Sequence, residues 1–437
     1  MSKSKYVGVK DGSIKIVTSG LFKPSDPEVE VIPVPVEFQD MLPAQIITGF
    51  RVSNGHLRRR RNKKSSTQKM KLAFVGNWKM QCGIATYSEN LLPEVAKHFG
   101  DFKLFIEKND SPTGPVNLVG NDVMIGSDKV VSCWKRGEPL QELVRSIKEY
   151  DPDVIWIQHE FGIWPNAGAW LSMMSQLANY RVIVTMHSVF HHRDKTIVEA
   201  AMPEIIVHLD GARKVLKEEK GISSPVHVIP HGCAPVLNAE RLWNFYKSNH
   251  TFMQFGFGFR YKGWEKSIRA AAILREKYPD VFFTGLFSES PFNSVDHQVY
   301  YDELIALVDK LNVAGNVAIL RGYQSDAALD SYMRTNQVVV FPYVSHPQHE
   351  VFGVSGAARL AMSKMVPVIT TNVNHFSDVP TIKADSPEEI AEALDRMFSN
   401  SLTRKMQVEN QLQYLNENTW EKVAMQHVQL FSDDPRK

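Results

Sequence analysis

EVFGVSGAARLAMSKMVPVITT (Glu350 to Thr371), with VVVFPY (Val338 to Tyr343) shortly before it, spells strand, loop, helix, strand. Val338, Val339, Val340 and Phe341 form a continuous apolar run bounded by Pro342, which suits a strand buried on both faces. Gly353 and Gly356 let the backbone turn tightly and approach a ligand without a Cβ in the way. Ser355 stands where an N-cap is needed for the Ala- and Leu-rich turn that follows, and Pro367 opens the next apolar run. A small-residue loop entering a helix leaves free N–H groups and a partial positive charge, which suits a phosphate. Taken alone, the stretch favours an ordinary crossover whose glycines serve packing. The rest of the chain turns the reading towards phosphate.

A regular α/β alternation starts at Met70. KLAFVG (Lys71 to Gly76) reads as a strand, and a loop turning at Gly83 leads to a helix with Tyr87, Leu91 and Val95 on one face. VIWIQHEFGIW (Val154 to Trp164), RVIVTMHSV (Arg181 to Val189), EIIVHLD (Glu204 to Asp210) and HVIPHG (His227 to Gly232) continue the series. Their tips carry Gln158, His159, Glu160, His187 and His231, all expected at the one edge where open parallel sheets bind ligands. After a polar, helix-patterned stretch (Leu237 to Ser248), a second series runs through TFMQFGFGF, VFFTGLF, NVAILRGY and VVVFPY to VPVITT. Two parallel α/β units of similar size predict two doubly wound domains facing across a cleft. The expected division is 1–69, an extension; 70–236, a first Rossmann-like domain; 237–400, a second; and 401–437, helices reaching back over the first.

Composition narrows the classes. A chain of 437 residues can form two or three domains with sizeable cores. No apolar run approaches the roughly 18 to 20 residues that span a bilayer, and MSKSKYVGVKDGS lacks the apolar core of a signal peptide. Cys82, Cys133 and Cys233 are odd in number and far apart, so a reducing cytoplasm is expected rather than a disulfide scaffold or zinc knuckle. The net charge of +2 hides an asymmetry, because Met41 to Ser88 contains no Asp or Glu. Within it, HLRRRRNKK carries Arg58, Arg59, Arg60 and Arg61, which reads equally as a nucleic-acid contact and as a solvated, self-repelling linker. Within residues 1–69, KYVGV and SIKIVTSGLF alternate like short strands, and the prolines of EVEVIPVPVEF demote it to an edge. In HSVFHHRD, adjacent His191 and His192 point different ways and no carboxylate completes a set, so no metal is expected.

CGIATYSENL, DVIWIQHEFGI, VIVTMHSV, VIPHG, FGFRYKGWE, VFFTGLF and EVFGVSGAARLA…VPVI, in this order from Met70 onwards, resemble the family-four glycosyltransferases of the GT-B fold. The resemblance implies an enzyme that moves a hexose from a nucleoside-diphosphate sugar to an acceptor hydroxyl with retained configuration and no cofactor. The acceptor would be a glycan, a lipid-linked glycan or, through the arginine run, a hydroxymethylated DNA base. Catalytic roles would fall to Lys262 and Arg260 on the diphosphate, and to His187 and Glu350 beside the donor sugar. Gly83, Tyr323, Phe352, Gly353, Val354, Ser355, Gly356 and Ala357 would bind the donor, and His159 and Glu160 would line the acceptor side. Arg359 reads as a helix-surface charge. The family's second glutamate is missing: counted from Glu350 it falls at Ala358, and counted from Pro367 near Leu360. That departure keeps a second class open, a noncatalytic binding protein with a GT-B cleft.

Overall fold

The computed structural model describes five strands within residues 1–69, then residues 70–108, 126–191, 196–234, 236, 249–290, 294–345 and 350–433. Residues 1–66 form one compact unit and 67–437 another. In the first unit β1 (Lys5–Lys10) lies between β2 (Ser13–Ser19) and β3 (Glu30–Pro33), both antiparallel to it. The proline-bearing β3 is thus an edge strand, as its missing amide donor requires. β4 (Phe50–Ser53) and β5 (His56–Arg59) form an antiparallel pair, so the basic block begins on a strand and not on an extended linker. Arg58 and Arg59 are on β5; Arg60 and Arg61 lie outside the described residues.

The second unit holds two parallel sheets. The first contains β6 (Lys71–Gly76), β7 (Asp101–Glu107), β8 (Val130–Trp134), β9 (Val154–His159) and β10 (Arg181–Met186). β11 (Ser188–Phe190) leaves this sheet, which β12 (Ile205–Val207) and β13 (Val226–Val228) complete in the order 13-12-10-9-6-7-8. The second contains β14 (Thr251–Phe257), β15 (Phe282–Ser288), β16 (Val317–Arg321) and β17 (Val338–Phe341). β18 (Val351–Gly353) lies outside it, and β19 (Val368–Thr370) and β20 (Ile382–Lys383) finish the order 16-15-14-17-19-20. In each sheet the order reverses beside the first strand, which opens a crevice at the carboxyl ends of the strands. The central strands are buried on both faces, as their unbroken apolar runs require: every residue of β9, β10 and β17 is buried.

Two kinds of join hold the lobes together. On one side the chain returns at Thr419, where the Cys233 amide donates to the Asn418 carbonyl at 2.8 Å and Trp420 lies over Gly232. The helix Trp420–Ser432 that follows buries Val423, Ala424, Val428 and Phe431 among first-sheet residues. Arg181, ion-paired with Glu204, caps its last turn by donating to the Leu430 and Phe431 carbonyls at 2.9 and 2.8 Å. The preceding helix Ser401–Glu417 stays with the second lobe, where Gln411 bonds Val366 and Val368. On the other side β11 of the first lobe pairs antiparallel with β18 of the second. The stretch Leu237 to Ser248, expected to be helical, lies outside the described residues.

Candidate active site

Between the lobes lies a cleft of about 1340 Å³. Its second-lobe wall is the stretch that spells strand, loop, helix. Ser355 caps the helix Gly356–Ser363, its Oγ accepting from the Ala358 amide at 3.3 Å, and that leaves the N–H groups of Gly356 and Ala357 at the cleft surface. Tyr343, at the end of the β17 run, places its hydroxyl 3.1 Å from the same Oγ. Lys262 Nζ donates to the Tyr343 hydroxyl and lies 4.1 Å from that ring's centroid. Lys262, Tyr343, Ser355 and the helix N-terminus are therefore one connected polar assembly.

Lys262 is aimed there by Gly263, whose φ of +65° is left-handed and whose absent Cβ would lie 2.1 Å from the Pro342 carbonyl oxygen. Only glycine fits that turn. Burial holds the Lys262 amine below the usual lysine range. Among the described residues no carboxylate pairs with it. His375, stacked on Tyr261, is kept neutral by burial and by the neighbouring Lys262, its pKa lowered to about 4. A half-buried cation beside free helix amides, without a counter-charge, is a cradle for an anion.

Arg260 does not join it. Its guanidinium forms a fork with Glu303, at 2.6 and 2.9 Å, over the Tyr300 ring on the outer face of the lobe. Arg260 and Lys262 lie two residues apart in the 3-10 turn Arg260–Lys262, where three residues make a turn and their side chains leave in different directions, so the expected phosphate contact is corrected to a surface ion pair. Arg359, read from sequence as a surface charge, is the reverse case. It is 2% exposed, borders the cleft, donates to the Ser355 carbonyl at 3.1 Å and to the Tyr414 hydroxyl at 2.9 Å, and is ion-paired with Asp378. Its position was legible: Arg359 is four residues from Ser355 and three from Met362, on the buried face of its helix. Of the two places counted for the missing glutamate, Ala358 is fully buried and Leu360 lines the cleft. Neither can bond a hydroxyl.

The first-lobe wall brings Gly83, Glu160, His187 and His231 into the cleft. A Cβ on Gly83 would meet nothing, so its smallness keeps space open and is not demanded by packing. His187 Nε2 lies 2.9 Å from Gln158 Oε1, His208 Nδ1 2.9 Å from the Ile229 carbonyl, and His231 Nδ1 2.6 Å from the Gly232 carbonyl. Each ring donates to an oxygen there and keeps its other nitrogen as an acceptor. All three surround Tyr87, with ring centroids 4.8, 5.2 and 5.1 Å from it. Burial lowers their pKa values, to about 4 for His208, so the cluster is neutral.

His159 is a second correction. Side chains alternate along β9, so with Gln158 turned to His187, His159 lies on the other face of the sheet, fully buried against Phe161 and Trp170. Burial lowers its pKa to about 3. Glu350 does not line the cleft either; its carboxylate accepts from Asn374 at 2.7 Å, and Asn374 is the cleft residue. Tyr323, Gly353, Val354, Gly356 and Ala357 do line it, whereas Phe352 turns its ring into the first lobe. His191 Nδ1 lies 2.6 Å from a Glu219 carboxylate oxygen, and His192 lies outside the described residues.

Residues 240–414 match the family model described as glycosyl transferases group 1. A search of curated proteins finds no match. Among solved structures, the UDP-forming alpha,alpha-trehalose-phosphate synthase of Burkholderia vietnamiensis superposes with a TM-score of 0.65 at 13% identity, covering 83% of this chain and 97% of that one. HepE of Anabaena, in complex with UDP, gives 0.61 at 13% identity, with 84% and 100% covered. Sucrose-phosphate synthase of Thermosynechococcus elongatus gives 0.60 at 16% identity, with 83% and 98% covered. Over residues 240–414 the chain therefore matches the glycosyl transferases group 1, within a two-sheet GT-B fold like that of these solved structures.

Proposed function

We propose that this glycosyltransferase moves a hexose from a nucleoside-diphosphate sugar to an acceptor hydroxyl with retained configuration. The observation that carries the reading is Lys262, an amine with no carboxylate partner among the described residues, joined through Tyr343 and Ser355 to a free helix N-terminus. A departing diphosphate gathers negative charge as the glycosidic bond breaks. A preset ammonium and two preset amides stabilise that charge without reorganising. Across the cleft the neutral ring nitrogens of His187 and His231 offer acceptors to sugar hydroxyls. Among the described residues no side chain stands out as a nucleophile, which supports front-face attack in which a phosphate oxygen takes the acceptor proton while the cleft supplies positioning.

Solved neighbours hold UDP or UDP-2-fluoro glucose, so UDP-sugars are the first donors to assay. Turnover of a nucleotide-sugar panel is the test. Lys262→Ala should lower kcat/KM by about 10²- to 10³-fold, the usual effect of removing one transition-state donor. Unchanged turnover in that variant, or none by the native protein, would overturn the assignment.

A further inference from the structure

We infer that Phe352 is a positioning residue: it fastens the phosphate-facing loop of the second lobe to the first lobe through the β11–β18 pair. The register is Ser188 to Gly353, Val189 to Phe352 and Phe190 to Val351. Just beyond it, the His191 amide donates to the Glu350 carbonyl at 3.3 Å. Antiparallel ladders exchange hydrogen bonds at alternate pairs, so the next bonded pair is Val189 with Phe352. The Phe352 amide is therefore committed to β11, which corrects the expectation that it faces the donor.

The Phe352 side chain seals the join. Its ring packs against the first lobe's core, and a Cβ on Gly211 of the helix Asp210–Lys214 would lie 2.6 Å from it. Gly211 is the socket and Phe352 the plug. One residue on, a Cβ on Gly353 would lie 2.8 Å from the His187 carbonyl oxygen, so the strand runs directly over the histidine wall. Val354, Ser355 and the helix N-terminus follow at once. Only Gly353 and Val354 thus separate the plug in one lobe from the cap of the anion cradle in the other, and the distance between cradle and histidine wall is set by this join. Val354 packs against the same first-lobe core and shortens the slack further.

The consequence is that loosening the plug displaces the cradle without altering any group in it. Phe190 and Val351 face each other between bonded pairs, where Cα atoms are about 4.5 Å apart, within reach of a disulfide. Phe190→Cys with Val351→Cys, in a Cys82→Ser background, gives a join that oxidation closes and reduction opens. The readouts are hydrogen exchange of the 353–358 amides and the donor KM and kcat. In the reduced protein, Phe352→Ala should speed that exchange and raise the donor KM, each at least about tenfold, with kcat changing less. Oxidation should bring both back to within about threefold of the Phe352 parent. Gly211→Val, which evicts the ring, should reproduce the defect, and Phe352→Leu should lie between. Native exchange and KM in Phe352→Ala, or a defect that oxidation leaves in place, overturns the inference. The KM arm rests on the function proposed above; if the native protein turns over no nucleotide-sugar, that function fails and the exchange arm alone decides the join.

Discussion

At the scale of single residues, three cations show how far charge and neighbours in sequence guide a reading. Arg260, Lys262 and Arg359 all lie close to the phosphate-facing loops, yet only Lys262 reaches the cradle without a counter-charge. Arg260→Ala should leave kcat/KM within about threefold and stability within about 1 kcal/mol, because an exposed ion pair contributes little. Arg359→Ala should cost about 3 kcal/mol or more, because it strands Asp378 and frees the Ser355 carbonyl in a buried setting. Denaturant titration of both variants checks the contrast, and equal effects would contradict it. His187 and the Ser355 cap were legible from sequence because one follows a recognisable strand and the other opens a helix, whereas Lys262 was singled out by the resemblance of FGFRYKGWE. The direction of the Arg260 side chain was not, since it depends on Glu303 and Asp296, more than thirty residues away. His159 was misread for a local reason: strand alternation already places it opposite Gln158.

At the scale of elements, both parallel sheets and the strand–loop–helix were readable from apolar runs and turn residues. The β11–β18 pair was not, because each strand is three residues long and the pairing joins parts of the chain about 160 positions apart. The C-terminal helices divide between the lobes, a split that their unbroken helical pattern does not reveal. Phe431, fully buried and edge-on to Trp156 at 5.4 Å, anchors the last helix to the first sheet. Phe431→Ala should cost about 3–5 kcal/mol by cavity formation, measured by chemical denaturation. A loss under about 1 kcal/mol would show that the helix does not pack there.

At the scale of the whole molecule, buried neutral histidines tie stability to pH. Burial lowers the pKa values of His208, His375 and His427 to about 4, from an ordinary value of 6.5. The unfolded chain therefore binds more protons than the folded one between those limits. Stability is full above about pH 6.5 and falls as pH drops towards 4, by up to about 1.4 kcal/mol per pH unit for each such ring. Thermal midpoints between pH 7.5 and 4.5 should fall accordingly, and a flat profile would contradict the neutral cluster. Of the buried histidines, His187 and His231 line the cleft on the first-lobe side, so a neutral wall there faces the cationic wall that carries Lys262.

Calorimetric titration of the native protein and Lys262→Ala with UDP, and with GDP and ADP alongside, tests the cradle directly. The account predicts one site per chain for at least one of these nucleotides, weakened about thirtyfold or more when the amine is removed, in keeping with about 2 kcal/mol for a charge-assisted contact. Binding of none of them, or binding that Lys262→Ala leaves unchanged, would contradict it.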